Sequence, residues 1–398
     1  MRLFDRVREL AWGIPITVAG WFVPRQQKCW AVLIGKTNRY EGNIRSLAHY
    51  LASQPDTTVY VLNHSIYPLP DLSAYPAIKV VKGHTWAEAK ARLHAKHVVF
   101  TQANSKVRLN GRYVLLTGIN LINVWHGIPL KALGNLIPGY HGGTLKKRMR
   151  EGGGFHSFCV SSLLERTFFA GAYFFDASRV AVTGIPRNDF LINSQMADRG
   201  QQQIQQEIAE LRAGRPMFLY APTWRDYDES AIGLTRADCE QLSALMKAHG
   251  ALLAFRPHPR DDALFDQLIA GLPNLLLANS SRWEDTNAVL SGSSALISDY
   301  SSIMIDYLLL NRPIVGYFWD YEKYTAERGM MFDLSSLFPG PIVSTAAELT
   351  QQLRQLLENG LAMTEINSAL HQSMLNLFHA HKDGRACERI VTRAYTVK

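Results

Sequence analysis

Cysteine is scarce in this chain of 398 residues: four, at Cys29, Cys159, Cys239 and Cys387, with no CxxC pair among them. That spacing excludes a zinc knuckle, a thioredoxin-like motif and a disulfide scaffold. Reducing conditions are the default, and the four thiols read as buried or incidental. No apolar run reaches the ~20 residues that a spanning helix needs. The GxxxxGK[ST] phosphate loop, HExxH, the protein-kinase set and the GxSxG elbow are missing, which removes the commonest NTPase, metalloprotease, kinase and serine-hydrolase readings. No compact Asp/Glu cluster offers a metal site, so no metal or other cofactor is expected. Asp261 and Asp262 are adjacent in sequence, and adjacent side chains rarely point the same way. The basic residues are not gathered in one long stretch and no nucleic-acid-binding motif occurs, so a nucleic-acid partner is not expected.

What is present is an ordinary globular balance, 47% hydrophobic and 19% charged, which excludes a disordered chain. The length fits two domains at ~150 residues each. Forty-two Lys+Arg against 34 Asp+Glu leave a formal charge of +8, suited to phosphates or an anionic membrane surface. Residues 10–24 (LAWGIPITVAGWFVP) are uncharged, interrupted by Pro15, and followed by no small-x-small cleavage site. They read either as a buried opening segment or as an interfacial anchor, with Trp12, Trp21 and Phe22 at headgroup level.

Strand and helix patterns alternate in two series. The first has strands at Trp30–Ile34, Thr58–Leu62, Ile78–Val81, His97–Phe100 and Leu121–Trp125, with helices at Gly42–Ser53 and Thr85–Ala95. The second has strands at Met217–Tyr220, Ala251–Phe255, Ala295–Ser298 and Pro313–Phe318. Its helices run over Asp238–His249, Ala346–Gly360 and Glu365–Lys398. Compact apolar strands separated by helices argue parallel, doubly wound sheets. The fold expected is α/β and GT-B-type, with two Rossmann-like domains facing a central cleft. Its parts are residues 1–29 as an apolar or interfacial segment, 30–195 as an acceptor domain, 196–370 as a donor domain, and 371–398 as a C-terminal helix that could pack back on the N-terminal domain.

The polar motifs follow strand C-termini, where open α/β sheets bind ligands. After one strand comes WHGIPLK (125–131), with His126, Gly127 to admit a close neighbour, and Lys131 in reach of an anion. After others come PTWRD (222–226), with Thr223 and Arg225, and RPHP (256–259), with Arg256 and His258. A further strand is followed by DYSS (299–302), with Asp299 and with Ser301 and Ser302 at a helix start suited to phosphate, or simply capping that helix. Asp306 reads as an exposed helix residue or, with a nucleotide diphosphate at that helix start, as a ribose or base contact. Lys146, Lys147 and Arg148, in TLKKRMR (144–150), read as a solvated helix face, or as a patch for a phosphate-rich acceptor or anionic headgroups.

WHGIPLKALG (125–134), TGIPRNDFL (183–191), YAPTWRD (220–226), RPHP (256–259), SDYSSIMIDYLLLNRPIVGYFWDYEKY (298–324) and HKDGRACERI (381–390) together resemble the CDP-glycerol glycerophosphotransferase family of teichoic-acid-type primases and polymerases. The resemblance covers about residues 30–395. It implies CDP-glycerol or a related CDP-alditol as donor, CMP as product, and a hydroxyl of a lipid-linked or polymeric acceptor at the inner membrane face. The products implied are teichoic-acid-like, capsular or lipopolysaccharide polymers. It also implies an essential pair, His126 and His258, with Arg256, Ser301 and Ser302 around the diphosphate. Ile128 stands where many members have Thr. In this scheme His126 is the general base, and His258 stabilises the diphosphate or protonates departing CMP. A GT-B glycosyltransferase using a nucleotide sugar, and a transferase of ribitol phosphate from CDP-ribitol, are the competing readings.

Overall fold

The computed structural model describes residues 18–35, 38–83, 85–101, 118–137, 155–225 and 232–396. The chain divides into two units. One holds residues 1–126, 141–189 and 383–398; the other holds 127–140 and 190–382.

In the first unit, strands β1 (Gln26–Ile34), β2 (Thr58–Asn63), β3 (Ile78–Lys82), β4 (Ala95–Phe100), β5 (Asn120–Asn123), β6 (Ser157–Val160) and β7 (Val180–Val182) form one sheet in the order β3-β2-β1-β4-β5-β6-β7. Every pairing in it is parallel. The strand order reverses between β1 and β4, which opens a crevice at their carboxyl ends. β1 is buried continuously from Cys29 to Ile34, as a strand covered on both faces must be. The helix Gly42–Ala52 lays Ile44, Leu47 and Leu51 on this core at helical spacing.

A second helix, Ala386–Thr396, completes the same core with Cys387, Ile390, Val391 and Ala394. Its first N–H groups, on Ala386 and Cys387, donate to the buried Asp189 carboxylate at 2.8 Å each. The sequence pattern predicts unbroken helix from Glu365 onward. Instead, one helix ends at Phe378 and another begins at Ala386, because His379 turns extended and Gly384 adopts φ +66°.

The second unit's sheet joins β8 (Met217–Ala221), β9 (Leu252–Phe255), β10 (Leu275–Leu277), β11 (Ala295–Ser298), β12 (Ile314–Tyr317) and β13 (Ile342–Val343) in the order β10-β9-β8-β11-β12-β13. It too is parallel throughout. Here the order reverses between β8 and β11. Side-chain capping boxes at Asp198/Gln201, Thr235/Asp238 and Thr345/Glu348 start three of its amphipathic helices, before β8, after β8 and after β13. Residues 127–140 belong to this unit. Lys131 forms an antiparallel bridge with Met330, and Ala132 N–H donates to the Gly329 carbonyl.

Candidate active site

In the first unit the chain leaves β5 through Asn123, Val124 and Trp125 to reach His126. Trp125 sits at φ +47°, a left-handed conformation that costs a residue with a side chain on the order of 1–2 kcal/mol. Several bonds hold it there. Asn123 Oδ1 accepts from Trp125 N–H at 2.7 Å. The buried Asn43 amide donates to the carbonyls of Val124 (2.8 Å) and Trp125 (3.1 Å). Asn43 Oδ1 accepts from Arg187 N–H at 3.2 Å, and the Arg187 guanidinium donates to the His126 carbonyl at 2.6 Å.

The exposed His126 ring stacks on Trp125, with centroids 4.5 Å apart. Its Nδ1 lies 3.2 Å from the Thr101 carbonyl oxygen at the end of β4. A carbonyl only accepts, so Nδ1 carries the proton and the neutral ring keeps its lone pair on Nε2. That is the tautomer a general base needs.

In the second unit the polar residues line the reversal between β8 and β11. Asp299, at the end of β11, accepts from Thr223 N–H at 2.9 Å, from Tyr300 N–H at 2.6 Å and from Arg225 Nη1 at 2.7 Å. Arg225 also grips Asp320, at the end of β12, through Nε (2.9 Å) and Nη2 (2.7 Å). Its guanidinium carbon lies 5.0–5.1 Å from the ring centres of Trp319, Tyr300 and Tyr324. Burial and the facing Asp320 and Asp299 carboxylates push the Tyr300 hydroxyl well above its ordinary range. Arg225 and Asp299, expected as donor contacts, are thus fully buried members of an ion-paired brace. Thr223 Oγ1 and Trp224 Nε1 are enclosed beside it without a hydrogen-bond partner among the described residues.

Arg256 is also turned inward. Its Nη1 donates to the carbonyls of Ala278 (2.7 Å) and Trp283 (2.9 Å), and its Nη2 to Thr286 Oγ1 (3.0 Å). It fastens residues 278–286 to the end of β9. His258, two residues on, is exposed and stacks on Trp224 at 5.4 Å. Its Nδ1 accepts from Arg260 N–H at 3.3 Å, so the neutral ring carries its proton on Nε2. Burial first, then the Arg260 charge, holds the His258 pKa below its ordinary value.

Ser301 and Ser302 are half-buried ahead of the short helix Ile303–Tyr307, and Ser302 makes no side-chain cap. Asp306 is buried, not exposed, at 2% accessibility. Gly127 and Lys131, expected with the acceptor half, lie in the second unit, where Lys131 Nζ sits 5.2 Å over the Tyr324 ring. Lys146, Lys147 and Arg148 fall outside the described residues. All four cysteines are free and buried. Among the described residues no group of three or more His, Cys, Asp or Glu is placed to hold a metal.

Sequence reasoning missed Asn43, Thr101 and Arg187, which shape the His126 turn, and Asp320 and Arg260 in the second unit. Asp320 was findable, because it lies in the loop just past β12, three residues beyond Tyr317, among the polar residues that follow strand ends. Asn43 was not, because nothing in its own neighbourhood refers to residues 124–125.

Two doubly wound parallel sheets, with their polar side chains at the strand ends, define a transferase fold of the GT-B type. The solved structure of the wall teichoic acid polymerase TagF superposes with a TM-score of 0.72 at 21% identity, covering 99% of this chain and 98% of that one. Residues 19–395 match the CDP-glycerol:poly(glycerophosphate) glycerophosphotransferase family, and the chain belongs to it. A teichoic acid glycerol-phosphate transferase of Staphylococcus aureus is 28% identical over 293 residues, 68% of this chain and 69% of that protein. The teichoic acid ribitol-phosphate polymerase TarL of the same organism is 26% identical over 278 residues, covering 69% of this chain but only 47% of its own length.

Proposed function

We propose that this glycerophosphotransferase moves glycerol phosphate from CDP-glycerol to a hydroxyl of a teichoic-acid-type polymer or its lipid-linked precursor, releasing CMP. The observation that carries the reading is the hydrogen bonding of the two Nδ1 atoms, which assigns the histidines opposite tautomers. His126 has its lone pair on Nε2, and His258 has its proton there. The acceptor oxygen attacks the β-phosphorus and forms a new P–O bond. The bond from that phosphorus to the bridging oxygen breaks, and its electron pair leaves on CMP. His126 takes the acceptor proton, and His258 hydrogen-bonds or protonates the departing phosphate. Positioning and electrostatics supply most of the rate. Thr223, Ser301 and Ser302 are the groups that this reading places nearest the donor, with Asp306 behind them.

The work is assigned to the cytoplasmic face of the membrane, with the protein peripheral. The exposure of Trp21 and Phe22, 63% and 80%, supports the peripheral placement. Ribitol-phosphate enzymes among the relatives make CDP-ribitol the alternative donor.

The deciding assay is CMP release from CDP-glycerol, with CDP-ribitol and a nucleotide-sugar panel in parallel and membrane extract as acceptor. CMP from CDP-glycerol is expected, lowered ~10²–10⁴-fold in His126→Ala with donor affinity nearly kept. Turnover of a nucleotide sugar alone would overturn the chemistry.

A further inference from the structure

We infer that Arg260, not Arg256 or Arg225, is the arginine that receives the donor's diphosphate. The inference rests on the reading of the chain as a CDP-alditol transferase and names the cation of that site.

The choice follows from what each guanidinium already does. An arginine that binds phosphate offers a planar fork of N–H donors. Arg225 has spent that fork on two buried carboxylates, and their combined charge would repel a diphosphate. Arg256 has spent its fork on two main-chain carbonyls and a threonine hydroxyl, and turning it outward would leave those acceptors bare in the interior.

Arg260 differs in each respect. It is exposed, and its guanidinium makes no hydrogen bond among the described residues. It is held in place all the same, with its guanidinium carbon 4.6 Å from the centre of the Trp224 ring. The same indole carries the stacked His258 ring. Trp224 therefore presents a cation and the proton-bearing histidine of the second unit from one support. Arg260 is also close enough to His258 for its charge to favour the neutral ring. Such a pair suits a leaving group that gains negative charge as its bond breaks. The cation meets the diphosphate, and the Nε2–H meets the oxygen that departs.

The test uses binding of cytidine, CMP and CDP to the full chain, measured by calorimetry, so that it does not depend on turnover. In the wild type, affinity is expected to rise with each phosphate. In Arg260→Ala, CDP binding should weaken about 10–100-fold, while cytidine changes less than twofold. Arg260→Lys should recover part of the loss. Arg256→Lys should lower the unfolding midpoint while keeping the gain in affinity per phosphate. Wild-type affinity for CDP in Arg260→Ala overturns the inference, and so does an equal loss for cytidine, which would make the effect one of folding. If the wild type binds none of the three ligands, the cytidine-diphosphate reading falls as well, so the two failures are distinguishable.

Discussion

Replacing Asn43 by Ala tests whether the His126 turn is held for catalysis. Asn43 is 2% exposed and touches no reacting group in the proposed mechanism. It makes two bonds to the carbonyls of Val124 and Trp125 and accepts a third from Arg187 N–H. At roughly 0.5–1.5 kcal/mol net for each, the loss comes to about 2–4 kcal/mol. For a unit of this size, that is a fall in unfolding midpoint on the order of 5–15 °C. The released turn carries a left-handed tryptophan that relaxes once its clamp is gone, and the His126 ring moves with it. Misplacing a catalytic group by about an ångström costs ~10²-fold, so kcat should fall ~10–100-fold with the affinity for CDP-glycerol unchanged. CMP release is measured well below each protein's own midpoint, with donor affinity taken by calorimetry. If Asn43→Ala folds too poorly to assay, Arg187→Lys keeps the backbone bond to Asn43 and disturbs only the contact with the His126 carbonyl. Here kcat should fall ~5–30-fold. A kcat within twofold of wild type for both folded variants would refute the positioning argument, as would a parallel loss of donor affinity.

Three further outcomes are expected. His97 is buried between Trp30 and Tyr395, and burial, only partly offset by its bond to the Gln27 carbonyl, lowers its pKa to about 4. The unfolded chain takes up this proton near pH 6.5 and the folded chain does not. Stability should therefore fall by up to ~3 kcal/mol as pH drops from about 6.5 to 4. Denaturant titrations of His97→Phe should show a flatter acid limb, and an unchanged limb would contradict the assignment. Arg225→Met strands two buried carboxylates and should destabilise the second unit by about 3–5 kcal/mol in calorimetry. Normal stability with lost CDP affinity would instead make Arg225 a donor ligand. Trp21→Ser/Phe22→Ser should reduce co-flotation with anionic liposomes, and equal flotation would take the anchoring role from that segment.

The strands nearest the two reversals were legible because parallel strands buried on both faces leave unbroken apolar runs. Trp30–Ile34 and Ala295–Ser298 are of this kind. The strands left out are short or lie toward the sheet edges. Leu275–Leu277 and Ile342–Val343 are too brief to show a period. Strand-end positions of His126 and His258 could be read directly, since polar residues after such runs have few structural reasons to be there. What could not be read is which arginine faces outward. Arg225, Arg256 and Arg260 have the same local chemistry. Their fates are set by Asp320, by the carbonyls at 278 and 283, and by Trp224, which only the fold brings near.

The helix Ala386–Thr396 has a consequence for synthesis on the ribosome. The core around Trp30 and Val59 is closed by Cys387, Ile390 and Val391, and the buried carboxylate of Asp189 waits for the N–H groups of Ala386 and Cys387. Roughly 200 residues separate Asp189 from that helix, which at about 5–20 residues per second means a delay on the order of 10–40 s. During that interval the nascent first sheet has its strands but an open apolar flank, while the second unit can finish folding. A ribosome stalled after residue 382 would carry the strands of both sheets without the helix that closes the first core.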